Sequence, residues 1–280
     1  VDLREGHGVK SSAAPQRVSW SSNVSNCASL NHMYRSVWNQ ALGAMVAVAE
    51  IATACCGAAS SAQAQALPAA LPSGGVAIHG SAAFNTTQPN KLVVTTQNGA
   101  GTSHSAINWS SFSIGAGKTT QFVQPGASSM SINRVVTNTP SELFGTLSSN
   151  GRLVLVNQSG IAVGAGAVVD TAGFTASALS MSEADAIAGR LRFGGAGFAD
   201  YSGVLTVQGN LIARGGDVVL IAPNIDLAKT AVVEAEGGSV MLAAGQGVEV
   251  TGRGLEGITM QVQAPADKAV IMVNGQPQIA

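Results

Sequence analysis

The stretch "VLTVQGNLIARGGDVVLIAPNIDLAKTAVVEAEGGSVMLAAG", residues 204–245, repeats one order: a short apolar strand, a turn with Gly or Asn, a strand, a second turn. This is the pattern of successive coils of a parallel β-helix, in which each strand stacks on its counterpart one coil earlier. Small side chains suit the narrow interior of such a coil. Asn and Gly suit its corners, where the backbone takes left-handed angles. On spacing alone, strand signals every ~8–12 residues also fit a sandwich or a barrel.

Similar runs extend N-terminally: "LVVTT" (92–96), "TTQFVQ" (119–124), "SMSINRVV" (129–136), "RLVLVN" (152–157) and "GIAVG" (160–164). Gly, Asn, Asp or Pro punctuates almost every run. "SMSEADAIAG" (180–189) is the one helix candidate, with Ser180 or Ser182 as cap and Glu183 and Asp185 in the first turn. At about 20–45 residues per coil, the segment from Leu67 onward would make about five to ten coils.

Composition points the same way. Only 10% of the 280 residues are charged and 4% aromatic, with 34 Gly, so the chain lacks the charged amphipathic faces of a helical enzyme. A net charge of −1 without a basic cluster leaves no electrostatic footprint for nucleic acid, and no nucleic-acid partner is expected.

All three cysteines (Cys27, Cys55, Cys56) lie near the N-terminus. That region reads as an address. Arg35 supplies a positive start, Ala41 to Ala59 is largely apolar, and Ala64-Gln65-Ala66 offers an A-x-A site with cleavage after Ala66. The apolar run carries Glu50 and falls short of the ~20 strongly apolar residues of a spanning helix. Ala52 stands where a lipoprotein signal before Cys55 has a larger aliphatic residue. "LNHMYRSVWNQALGAMVAVAE" further resembles the extended signal peptide region of type V secreted proteins, through Asn31, Tyr34, Arg35, Trp38, Asn39, Ala41, Leu42, Gly43 and Glu50. The expected organisation is residues 1–29 disordered or upstream of the true start, 30–66 an extended signal peptide, and 67–280 one exported β-domain free of cysteine.

Residues 107–179 carry the most specific signals. They comprise Asn108 and Trp109, Phe112, Ile114-Gly115-Ala116-Gly117, Phe122-Val123-Gln124-Pro125 and Asn133-Arg134-Val135. Pro140-Ser141 with Leu143 and Gly145, and then Asn150-Gly151, follow. Together with "LSMSEADAIAGRLRF" and "GGSVMLAAGQGVEV" they resemble the N-terminal secretion domain of two-partner secretion exoproteins, the filamentous haemagglutinin-like adhesins. One departure stands out: the family's Asn-Pro-Asn-Gly-Ile turn reads Asn157-Gln158-Ser159-Gly160-Ile161 here, without the proline that fixes a dihedral.

The resemblance implies an all-β, right-handed parallel β-helix with N-terminal capping strands and short antiparallel extra-helical strands. It implies export by the Sec machinery and signal peptidase, then by a dedicated outer-membrane transporter of the TpsB type whose periplasmic modules read the domain. It implies a secreted or cell-surface location in a Gram-negative bacterium, and a host-cell or carbohydrate ligand for a longer full-length protein whose shaft continues beyond Ala280. Asn133, Arg134, Asn157, Gln158, Ser159 and Gly160 are the candidate recognition or turn-motif residues.

No catalytic constellation accompanies these motifs. Asp217 and Asp226 read as turn or cap acids, and Glu234 and Glu236 as a solvated strand face. His79 and His104 lie far apart in sequence, without HxH or HExxH spacing, so no metal is expected. Asn157 spoils a G-x-S-x-G elbow at Ser159, and Trp109 reads as a packing residue rather than a sugar platform. Gly164-Ala165-Gly166 lacks the third glycine and the following helix of a dinucleotide loop. No cofactor or enzyme activity is expected. The competing reading is a short secreted β-helix that itself binds or cleaves carbohydrate.

Overall fold

The computed structural model describes residues 34–39, 44–49, 70–194, 203–254, 257–263 and 270–278, in two units, Val1–Ala62 and Gln63–Ala280. In the first, β1 (Tyr34–Asn39) and β2 (Ala44–Ala49) pair antiparallel. The expected cleavage residues Ala64 and Ala66 lie outside the described residues.

The second unit is a β-helix with three faces, its strands numbered in chain order. The first face stacks β5 (Lys91–Gln97), β7 (Thr119–Val123), β10 (Thr146–Ser149), β13 (Val168–Thr171), β17 (Asn210–Arg214) and β20 (Val232–Glu236), all parallel. The second stacks β6 (His104–Trp109), β8 (Met130–Val135), β11 (Arg152–Val156), β14 (Gly173–Ser177), β18 (Val218–Ala222) and β21 (Val240–Ala244). The third stacks β9 (Ser141–Leu143), β12 (Ile161–Val163), β16 (Val204–Val207), β19 (Asn224–Leu227) and β24 (Val270–Val273), with β25 (Gln276–Gln278) antiparallel on β24. Val168 stacks on Thr146, and Val232 on Asn210, so an unadorned coil is about 22 residues.

Strand alternation explains the coil's interior. On the first face Leu92, Thr120, Leu147, Val169, Leu211 and Val233 form one inward column, each a coil above the last. Residues one position away point to solvent, so this face alternates inside and outside. At the N-terminal end Phe84, Trp109, Phe112 and Phe122 form a run of rings, with centroids 5.2, 5.4 and 6.3 Å apart. Each such pair adds about 0.5–1.5 kcal/mol beyond burial. Antiparallel strands close that end: β4 (Ser81–Gln88) on β5 and β3 (Val76–His79) on β6.

The second face breaks the alternation, because every residue of β14 and β18 is buried. Its outer side is covered by two excursions that leave the coil at the same corner. One, between β14 and β16, carries α1 (Glu183–Ala188) and β15 (Leu191–Gly194); the other, between β21 and β24, carries β22 (Gly247–Gly254) and β23 (Gly257–Gln263). β15 and β22 pair antiparallel, and so do β22 and β23. Between sheet and excursions lies a second core that includes Ile132, Val154, Val156, Leu179, Phe193, Val219, Ile221 and Val248. The helix starts on Ser182, whose hydroxyl accepts from the Asp185 amide, and stops at Gly189 with φ 68°.

Several strands carry no apolar run and escape a reading from pattern. β13 and β14 cross "VVDTAGFTAS", where Asp, Thr, Gly and Ser interrupt the signal. Asp226 sits within β19 on its outer, exposed side rather than in a turn. Asp217 does act as a turn acid, accepting from the Ser239 amide at 3.0 Å, and Glu234 and Glu236 are exposed on one side of β20.

Candidate recognition surface

The candidate residues fall on one corner of the second face but on opposite sides of the sheet. Asn133 points inward and is 1% exposed, stacked between Ile107 and Leu155. Its Oδ1 accepts from Trp109 Nε1 at 3.0 Å, and its Nδ2 donates to the Ser131 carbonyl at 3.0 Å. A side chain enclosed in this way ties the coil together and has no surface to offer a partner. Arg134 points outward under the first excursion. Its Nε donates to the Met181 carbonyl at 3.0 Å, its Nη1 donates to Asn108 Oδ1 at 2.8 Å, and Nη1 lies 3.7 Å from Glu183 Oε2. Asn108 Nδ2 also donates to Glu183, at 3.1 Å. Burial lowers the Arg134 guanidinium from its usual value, with Glu183 opposing that shift. The pair Asn133-Arg134 thus secures the interior and the helix at once.

Asn157 follows directly after Val156, the partner of Arg134 in the sheet. Its side chain is fully buried. Nδ2 donates to the Thr139 carbonyl and to Ser141 Oγ, both at 2.9 Å, and Oδ1 accepts from the Ser159 amide at 3.0 Å. The Gly160 amide donates back to the Asn157 carbonyl at 3.0 Å. This Asx turn closes without a proline. Gly160 holds φ 107° and packs against β16, where a Cβ would stand 3.1 Å from the Val204 carbonyl oxygen. Of the turn, Gln158 is exposed and Ser159 half-buried.

The glycines of "GAGAVV" have separate reasons. A Cβ on Gly164 would fall 2.2 Å from the Phe144 ring, while Gly166 holds φ 81°. Neither makes a phosphate cradle, since β13 rather than a helix follows.

Two arrangements were invisible in the sequence. The rings of His79 and His104, 25 positions apart, stack at 4.4 Å with 19° between planes. His104 Nε2 lies 2.9 Å from the Ile187 carbonyl and His79 Nε2 lies 3.0 Å from Thr102 Oγ1, so the pair joins the N-terminal cap to the end of α1. Desolvation, and then the neighbouring His104, lower the His79 pKa. The second arrangement is the ion pair joining the excursions: Arg192 Nη2 donates to both Glu249 oxygens, at 3.0 and 3.2 Å. Among the described residues no cluster of three His, Cys, Asp or Glu side chains could hold a metal. Trp109 is 1% exposed and packs as a core residue.

The model of the TPS secretion domain matches residues 69–279, the whole described β-helix. The chain belongs to the TPS secretion domain family. The model of the extended signal peptide of type V secretion systems matches residues 31–79. The chain is similar to the crystal structure of the HMW1 secretion domain from Haemophilus influenzae, at 29% identity and a TM-score of 0.64, over 71% of this chain and 51% of that one. It is also similar to a heme/hemopexin-binding protein of Haemophilus influenzae strain Rd. That match is 35% identical over 106 residues, 38% of this chain and 11% of the relative. A second Haemophilus influenzae protein of that name is 36% identical over 76 residues, 27% of this chain and 8% of the relative. The chain thus spans about a tenth of the length of these curated relatives. The TPS domain, preceded by its extended signal peptide, is the secretion part of a two-partner exoprotein exported through the periplasm of a Gram-negative bacterium.

Proposed function

We propose that this domain delivers a large exoprotein, an adhesin or a related surface protein, to a TpsB-type outer-membrane transporter by offering an open strand edge. The observation that carries this reading is β4. At eight residues it is among the longest strands, it ends the first sheet, and almost all of it is exposed. Natural proteins blunt or cover such edges, because unpaired backbone groups recruit another strand. An edge that no described strand covers fits a periplasmic module that adds a strand to it. The stack behind it supplies rigidity, since the Phe84 ring on β4 packs edge-on against the buried Trp109.

The turn with the exposed Gln158 and the half-buried Ser159 belongs to the same reading as a secondary contact. Asn133, Arg134 and Asn157 hold the surface in shape rather than meeting the transporter. Sec export with signal peptidase cleavage after Ala66 precedes recognition, and a host-cell or carbohydrate ligand belongs to the full-length protein. The similarity to the heme/hemopexin-binding proteins covers only about a tenth of them, which supports shared export rather than shared cargo.

Site-specific photo-crosslinking tests this. A crosslinker at Ala83 on β4 is expected to capture the transporter's periplasmic modules, and one at the exposed Asp226 on the third face is not. Capture from Asp226 alone would overturn the assignment.

A further inference from the structure

We infer that the cleft between the second face and the excursions binds a small hydroxylated carboxylate, the chemistry of a sugar acid. The cleft is open to solvent on one side, has a volume of about 450 Å³ and carries the charged side chains of Arg152, Arg190 and Glu249 on its lining. That volume lies within the range of small-molecule sites.

The argument turns on Arg152. Every other arginine whose side chain is described has an acidic partner: Arg134 with Glu183, Arg190 with Asp185, Arg192 with Glu249 and Arg214 with Asp170. Arg152 is half-buried on the outer side of β11, and among the described residues its guanidinium has no such partner. The fold keeps room for it. Gly173 is its neighbour on β14, and a Cβ there would stand 3.3 Å from Arg152 Cγ. The other charges lining the cleft are already balanced. Glu249 receives two hydrogen bonds from Arg192, and Arg190 Nε donates to Asp185 at 2.8 Å. One positive charge therefore remains, flanked by the hydroxyls of Ser103, Ser128 and Thr251 and by the apolar side chains of Met130, Leu191 and Val250. A fork-shaped guanidinium takes a carboxylate in a bidentate grip, and hydroxyls with an apolar wall suit a sugar ring.

The test titrates the full chain with glucuronate, with glucose and with N-acetyl-aspartate amide, following the cleft residues by NMR. Glucuronate is expected to bind saturably and shift residues of the cleft, and glucose and the aspartate derivative to bind at least tenfold more weakly. Arg152→Gln is expected to weaken glucuronate about tenfold or more, and Arg152→Lys to weaken it less. Equal binding of glucose, tighter binding of the aspartate derivative, or no saturable glucuronate binding by the unaltered chain would each overturn the inference. So would full affinity in a folded Arg152→Gln protein.

Discussion

Asn133 shows how one residue can serve a family motif without touching a partner. It fills an interior position that Ile107 and Leu155 occupy in adjacent coils, and it satisfies the Trp109 indole N–H. Asn133→Ala would strand that donor and is expected to cost about 1–3 kcal/mol in urea unfolding. Gly145 is constrained differently. A Cβ there would lie 2.3 Å from the Lys118 carbonyl oxygen and 2.4 Å from that of Gly115, both backbone atoms that cannot swing away. Gly145→Ala is expected to destabilise by about 1–3 kcal/mol. Restoring the family proline should act the other way. Asn157 lies just past the end of β11, its amide bound to the Ser177 carbonyl, and the turn closes through the amides of Ser159 and Gly160. Gln158→Pro therefore removes none of the bonds that close the turn and is expected to stabilise by about 0.4–1 kcal/mol. The motif letters were readable in the sequence. Their roles were not, because a side chain's direction depends on which coil it stacks in.

At the scale of elements, the excursions convert an ordinary three-faced coil into a protein with two cores. Phe193 on β15 is fully buried in the outer one, beside Val248 of β22. Phe193→Ala is expected to cost about 3–5 kcal/mol in urea unfolding, whereas Arg192→Ala, which breaks only an exposed ion pair, should change the unfolding midpoint far less. The His79–His104 stack links the cap to α1, and it carries a pH dependence. Because the folded His79 pKa lies below its unfolded value of ~6.5, the unfolded chain takes up the proton first. Stability is therefore expected to fall as pH drops below about 6.5 and to level off below the folded pKa. A His79→Gln protein should show a shallower fall in the same titration. Here the sequence was only partly legible. The helix after Ser182 stood out through its serine cap and the acids Glu183 and Asp185 in its first turn. The pairing of β15 with β22 did not, since Arg192 and Glu249 are 57 residues apart and each strand reads as one more coil segment.

For the whole molecule, the stacked coil was the most legible feature, because strand, Gly or Asn corner and strand recur on a regular period. A stack of this kind suits export, since each coil needs only its neighbour to fold. The N-terminal capping strands were harder to foresee, because "SAAFNTTQ" is polar, and its exposure as an edge explains why it carries no apolar run. The exported protein is expected to begin at Leu67 on N-terminal sequencing. The central claim, export by a dedicated partner, is tested most directly by measuring the secreted chain in cells with and without the cognate outer-membrane transporter. The account predicts that the chain appears outside the cell only when the transporter is present, and accumulates in the periplasm without it. Equal amounts in the medium under both conditions would contradict it.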